Sequence, residues 1–554
     1  MGQQISGLMG AGQATAAESA SSSSSSSSEM VPASAASAAA VHDVGAAPVG
    51  LLSSVKKWFS GVTWYAAPKQ SITWKEASSE NPETRHVEWG DLFFDLVFVA
   101  ATFKLGLVLT YDLVPSHDYY NVKTGVFDFC ALIIQFFMAW NIRTQFSARF
   151  ETNDFFHAAL HSAQTFAIAI AVMFIPSKVD AQGHDMGYQF RHDPLFARGI
   201  SAALLIYHVL VGVAYFEVWR VLDIPLNSSN YSGSSKWRRD EKDHRTNWIK
   251  ESTEGAKFLG GIQVCIALMF VVCYGVTLVR TSLTNKINTD GEYDFSIFVS
   301  WTWLLAFVIL NGWNLFFACY LAMKDKAEVH KYDVALDVKF LIHRFGEWTM
   351  LILGESFLSL TTIVDVKKGM AIVLFCISIC TIFILFYSVV NVLKERPSVN
   401  LFNRSRVATS CHVIMVTFVL PLSLVMSAIG AKSLLSLFNM ELSSDDHPAI
   451  SMYCYSVAAF FFFVSMMSVL HEMSFTKFCG IIGKATSNKC TVGHFVLKIL
   501  CVIFLSALPS CFLSTFKTMA WVLFFSFVHA VGSAIENPEN LHGIVHGIVH
   551  GHKV

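Results

Sequence analysis

Two stretches of this sequence set ionisable side chains at a spacing that could do chemistry. In Glu88-Trp-Gly-Asp91-Leu-Phe-Phe-Asp95 the three carboxylates fall at i, i+3 and i+7, on one face of a helix. In the second stretch, His343, Arg344, Glu347 and Glu355 lie within an arc of about 120° at 100° per residue. His157, His161 and Gln164 form a further stripe, and His412 stands in another apolar run. Carboxylates held at membrane depth can take up and release a proton or hold a cation. Histidines with an unperturbed pKa near 6.5 suit proton relay or pH sensing. The same groups have a purely structural use. Asp91 and Asp95 could pair with Arg143, Lys104 or Arg344 and lock helices together, and Glu347 and Glu355 could form a buried network with Arg344. Lys104 lies opposite Asp95 on its helix, so it is no partner on the same face and is placed to snorkel.

The elements that carry these residues are set by composition. The 554-residue chain is 53% hydrophobic and only 15% charged, with 47 Phe and 13 Trp. Soluble domains carry about 25% charged residues, so there are too few charges to cover a water-facing surface. The apolar residues come in segments long enough to cross ~30 Å of hydrocarbon. They predict an all-α polytopic membrane protein with about twelve transmembrane helices, centred on 88–110, 124–143, 155–176, 195–219, 257–280, 295–322, 340–363, 369–392, 406–430, 450–470, 493–513 and 517–534. The Phe-rich surfaces are read as lipid-facing or packing residues. A net charge of −1 points to no nucleic-acid partner; the partner is the lipid bilayer, with a small cation or proton as the candidate cargo.

Topology follows from the loops. With the N-terminus in the cytosol, the inner loops collect the basic residues, among them Arg143, Arg149, Lys236, Arg238, Arg239, Lys324, Lys326, Lys394, Arg396, Lys477 and Lys484, which is the positive-inside pattern. Both termini are then cytosolic, and the sequons at Asn227, Asn230 and Asn403 should carry no glycan. Residues 1–55 are Ala/Ser-rich, with serine throughout 21–28, and are expected to be a disordered tail. The opening Met-Gly-Gln-Gln-Ile-Ser fits the myristoylation pattern at Gly2. The transmembrane domain is placed at 86–535, and a tail at 536–554 bears His542, His546, His550 and His552, read as unstructured. The 12 cysteines, such as Cys265, Cys273 and Cys411, sit singly in apolar runs and are expected to be small buried hydrophobes. Cys376 and Cys380 share a helix face without further ligands, so neither a metal nor a cofactor is expected.

Spans 1 and 7 both open on an aromatic-Gly-acid triplet, Trp89-Gly90-Asp91 and Phe345-Gly346-Glu347. Two spans later each is followed by a His-bearing helix that ends near a proline, His161 with Pro176 and His412 with Pro421. This order fits a parallel six-plus-six duplication with halves 86–292 and 293–535.

Glu88 to Val99 resembles the first-helix signature of the low-temperature requirement protein A (LtrA) family. Three further stretches are similar to that family in the same order: Trp140-Asn141 through Arg149-Phe150-Glu151-Thr152-Asn153-Asp154, Gln164 through Pro176, and His343-Arg344-Phe345-Gly346-Glu347 through Leu353-Gly354-Glu355-Ser356. His343 stands where the family usually has an acid, Phe150-Glu151 replaces Phe-Asp, and the 220–256 loop is longer than expected. The resemblance implies a multi-spanning membrane protein; the family name records a cold-growth requirement and no reaction. A shorter similarity, Arg85 ahead of Phe93-Phe94-Asp95, links span 1 to the six-helix repeats of endolysosomal potassium channels, without their Ser.

Three function classes follow. Proton- or cation-coupled transport or conduction would use a polar site between spans 1, 3, 7 and 9, drawn from Glu88, Asp91, Asp95, His157, His161, Arg344, Glu347, Glu355 and His412. A non-catalytic scaffold or sensor would close those groups into ion pairs and use the Ser-rich tail and the basic 236–250 segment for docking. A lipid-modifying enzyme would want Asp91 and Asp95 with His157 and His161, yet no H-E-x-x-H or G-x-S-x-G signature is present. The reading leans away from catalysis, and no catalytic residue is assigned.

Overall fold

In hydrocarbon a backbone must satisfy its own hydrogen bonds, and a helix does so within one segment. The computed structural model answers that constraint with helices throughout. It describes residues 64, 65, 68–70, 89–113, 122–152, 154–176, 193–223, 236–284, 295–322, 336–361, 369–394, 406–439, 448–472, 489–511 and 515–536. Residues 1–55 with Gly2, Glu88, the three sequons and the 536–554 histidines lie outside the described residues, apart from Glu536.

Twelve helices are described: α1 (Trp89–Leu113), α2 (Val122–Arg149), α3 (Phe155–Met173), α4 (Pro194–Asp223), α5 (Lys236–Thr284), α6 (Phe295–Ala322), α7 (Val338–Thr361), α8 (Gly369–Lys394), α9, α10 (Pro448–Glu472), α11 (Lys489–Ala507) and α12 (Thr515–Glu536). Helix α9 is continuous but uneven: Arg406–Ile414, a π-helical turn Met415–Val419, then Leu420–Asn439. Each predicted span falls on one of these helices. Nine segments among the described residues are long and apolar enough to cross a membrane; α7 is not among them, and apolar Val496–Cys511 and Thr515–Val531 are shorter. Helix α7 carries Lys339, Arg344, Glu347 and Glu355 within one span length. The chain is an all-α, multi-pass integral membrane protein.

Three expectations change. Span 9 does not end near Pro421: the helix passes through the proline to Asn439. Proline has no N–H to donate, and its ring collides with the carbonyl four residues back. The π turn lies just before Pro421, where a widened turn relieves that collision. The basic 236–250 segment is not a loop but the first part of a 49-residue helix, about 73 Å long at 1.5 Å per residue and so longer than a bilayer is thick. The cysteines are not uniformly buried. Cys273, Cys454 and Cys501 are buried and Cys130 and Cys411 half-buried, while Cys265, Cys319, Cys376, Cys380 and Cys511 are exposed on helix surfaces. A thiol is apolar enough to face lipid, so membrane helices put no premium on hiding it.

Burial separates a centre from a rim. In α2 and α9, 78% of the apolar window is buried inside the protein, against 39% in α5 and α8 and 33% in α6. Helix α1 packs on α2, α3, α7 and α9, and α7 packs on α1, α8 and α9. The interior beside α1 is aromatic: Trp140 and Trp348 stack at 4.4 Å, with Phe98 and Phe137 edge-on to Trp348 at 5.9 and 5.1 Å.

Helix ends are fixed by side chains. Asp337 accepts from the Phe340 amide at 3.0 Å, an N-cap for α7, and its own amide donates to the Ala148 carbonyl at 2.9 Å, which ties the start of α7 to the end of α2. Asp154 caps α3 through the His157 amide at 2.9 Å. A strap from the N-terminal side crosses this end of the bundle. Lys69–Gln70 pairs antiparallel with Phe150–Glu151, Phe156 donates its amide to Trp64 O, and the Tyr65 hydroxyl donates to Glu217 at 2.5 Å.

Candidate functional site

Helix α1 presents Asp91 and Asp95 on its buried face, four residues apart, and each meets an arginine. Arg344 of α7 grips Asp95 with both terminal nitrogens at 2.8 Å. Trp140 of α2 donates its indole N–H to the same carboxylate at 2.8 Å. Glu347 accepts from Arg344 Nη1 at 2.7 Å, and His343 lies 3.4 Å from Glu347. The Asp95 and Arg344 side chains are 0% and 2% exposed, so this is a closed, bidentate pair. Asp91 pairs with Arg143 of α2 at 3.3 Å, and Arg143 also reaches the His161 carbonyl at 3.0 Å and the Thr165 hydroxyl at 3.3 Å. Both guanidiniums rest on rings, Arg143 4.3 Å from the centre of Phe94 and Arg344 5.7 Å from that of Trp140, a cation–π contact on the apolar side of each pair.

Glu355 is different. It lies on α7 eleven residues beyond Arg344, about 16 Å along the axis. Its side chain is buried, and neither carboxylate oxygen has a hydrogen-bond partner. A Cβ on Gly106 of α1 would sit 3.8 Å from Glu355 Oε1 and 3.5 Å from Ile429 of α9, ordinary contact distances, so Glu355 lies against the Gly106 face of α1 beside Ile429. Gly106 is eleven residues beyond Asp95, just as Glu355 is beyond Arg344. Equal steps in the same direction make α1 and α7 parallel, as the five crossings of α2 to α6 between them require. The positive charge acting on Glu355 is Lys432 of α9, itself 6% exposed. Lys432 lies three residues past Ile429, on the same helix face.

The remaining candidates are placed apart from the carboxylates. His157 Nδ1 pairs with Asp154 at 2.6 Å, and its ring stacks on Tyr65. His161 lies 3.4 Å from the Thr152 hydroxyl and 3.3 Å from Gln164 Oε1. His412 is buried on the first stretch of α9, which packs on α6. Spans 1 and 7 are joined by the Asp95–Arg344 pair, and spans 7 and 9 pack against each other. Arg143 of span 2 bonds to His161 and Thr165 of span 3.

Residues 86–230 match the family model described as Bacterial low temperature requirement A protein (LtrA). This stretch of the chain is LtrA-like. No curated protein and no solved structure matches the chain. The LtrA-matching residues supply α1 to α4, and with them Asp91, Asp95, Trp140 and Arg143. Arg344, Glu347, Glu355 and Lys432 lie beyond the matched residues, so the family match covers one partner of the Asp95 pair and neither member of the Glu355–Lys432 couple.

Several polar residues of this helical bundle are not picked out by the sequence. Lys432 lies beyond the predicted span 9, which ends at residue 430. A lysine one turn past an apolar run reads as the end of a helix, and only the continuation to Asn439 puts it inside. Lys104 does not snorkel to a headgroup: it donates to the Val172 and Ile175 carbonyls at 3.1 and 3.3 Å, closing the end of α3 where carbonyls lack helical partners. A second buried polar group joins α10 to α12, where His529 Nε2 meets Ser465 Oγ at 2.9 Å. Ser465 Oγ also lies 2.8 Å from the Phe461 carbonyl.

Proposed function

We propose that this LtrA-like protein moves protons or small cations across a membrane, with Glu355 as the group that takes up the charge. The observation that carries this reading is the pairing contrast along α7. Asp95 is satisfied by Arg344 and Trp140, whereas the Glu355 carboxylate is equally buried and accepts no hydrogen bond. An acid left without a hydrogen bond at membrane depth is costly in its ionised form, so its charge calls for a proton or a cation. In this reading the Asp95–Arg344–Glu347 network is a barrier closed across α1 and α7, and Glu355 is the loading position about 16 Å beyond it. Both termini face the cytosol, as the distribution of basic residues supports.

The experiment is reconstitution in liposomes loaded with a pH dye, under one imposed cation gradient at a time. Wild type is compared with Glu355→Gln and Asp95→Asn, each checked by size-exclusion profile. Flux that disappears in well-folded Glu355→Gln is the expected result.

One observation favours a second reading, a scaffold or sensor. Asp91–Arg143 and Asp95–Arg344 are closed pairs between different helices, which is what a helix lock needs. Absence of flux under every gradient, with Asp95→Asn merely unfolding, would select it.

A further inference from the structure

We infer that Lys432 is a tethered competitor for Glu355, and that the site therefore takes a single monovalent cation. The inference rests on Glu355 as the loading group and adds what loads it and what sets its affinity.

The geometry has three parts. First, Glu355 accepts no hydrogen bond, so Lys432 acts on it through space without holding it. Second, the carboxylate, Gly106 and Ile429 converge at one point, with separations of 3.5–3.8 Å from a Cβ on Gly106. Lys432, one turn past Ile429 on the same face, is within a side chain's reach of that point. Third, Lys432 stands seven residues before the described end of α9 at Asn439. A four-carbon stem can swing the ammonium away from the carboxylate towards that end of the helix.

Charge fixes the class of ligand. Among the described residues, Lys432 is the charge that acts on Glu355, and no second acid does. One positive charge neutralises the carboxylate; a divalent ion would leave an excess charge buried in an apolar setting. The ammonium and the incoming cation offer the same neutralisation, so either satisfies Glu355 and the second is repelled. Removing the charge of Lys432 must therefore strengthen cation binding. A lysine that merely packs would have no such effect.

The test uses the purified full-length protein in detergent. Thermal unfolding midpoints are titrated with NaCl, KCl, LiCl or MgCl2, with N-methylglucamine chloride holding ionic strength constant. Wild type is compared with Lys432→Met, Lys432→Gln, Lys432→Arg and Glu355→Gln. The expected result is saturable stabilisation by an alkali cation, with half-saturation shifted to about tenfold lower concentration or further in Lys432→Met and Lys432→Gln. Lys432→Arg keeps the wild-type midpoint, and Glu355→Gln loses the response. Equal half-saturation in wild type and both neutral variants overturns the inference, as does stabilisation by Mg2+ in preference to the alkali ions, or by none of them. Liposome flux separates this outcome from the transport reading. Flux that persists with proton gradients alone and ignores Lys432→Met leaves transport standing and removes the competitor. Alkali binding that shifts as expected without any flux does the reverse.

Discussion

At the scale of the residue, each acid is defined by its partners more than by its place in the sequence. Asp91 and Asp95 were both legible as acids on one helix face from their spacing, and of the three basic partners considered, Arg143 takes Asp91, Arg344 takes Asp95 and Lys104 bonds elsewhere. Glu347 pairs with Arg344 as expected of a network, but Glu355 does not join it. Breaking a buried pair from one side leaves an uncompensated charge, which costs about 3–5 kcal/mol. Arg344→Met should therefore lower stability by about that amount through stranding Asp95. Asp95→Asn in the same chain should recover a large part of the loss, and a double-mutant cycle of unfolding midpoints measures the coupling. Simple additivity of the two losses would show that the pair does not hold α1 against α7.

At the scale of the element, small residues and caps decide how closely helices approach. Gly430 of α9 faces the α10 backbone so closely that a Cβ would lie 2.9 Å from the Tyr453 amide nitrogen and 3.0 Å from its Cα. Backbone cannot rotate away as a side chain can, so Gly430→Ala should destabilise by about 1–3 kcal/mol. Gly354→Ala, with nothing within 4 Å of its Cβ, should be neutral or stabilise by up to ~1 kcal/mol through helix propensity. The two are compared by thermal unfolding in one detergent. The strap at the other end is open to a pH test. Burial first, then donation to Glu217, raises the Tyr65 hydroxyl above its ordinary value of 10.0. A raised value means that the contact is fully present below pH 10 and is lost as pH climbs through the raised value. The tyrosinate absorbance that wild type shows and Tyr65→Phe lacks should accordingly appear above pH 10, and its appearance below that point would dissociate Tyr65 from Glu217.

At the scale of the whole molecule, α2 and α9 form the buried centre while α5, α6 and α8 give most of their surface to the outside. The exposed large side chains on those rim helices, Val271, Val272, Trp301, Val308, Ile372 and Phe383 among them, are what a bilayer requires and what water would punish. Orientation belongs to this scale. An epitope tag at either terminus should be labelled in intact cells only after permeabilisation, and Asn227, Asn230 and Asn403 should remain unmodified. A glycan on any of the three reverses the assignment.

The class of the protein, and the nine segments among the described residues that are long and apolar enough to cross a membrane, were determined by sequence alone, because crossing hydrocarbon demands about 20 apolar residues in a row and leaves the backbone one solution. The face carrying Asp91 and Asp95 was readable for a similar reason, since helical spacing is a local property. What the spans do to each other was not. Asp95 and Arg344 are 249 residues apart, and nothing along the chain says which of several arginines an acid will meet. Helix boundaries failed where a local rule met a tertiary need: Pro421 reads as a stop, and packing against α7 and α10 carries α9 past it and past the predicted end at residue 430. That continuation is what brings Lys432 to Glu355. The contrast between a closed pair at Asp95 and an unbonded carboxylate at Glu355 was decided by the tertiary structure, because satisfaction of a buried charge depends on every helix that surrounds it.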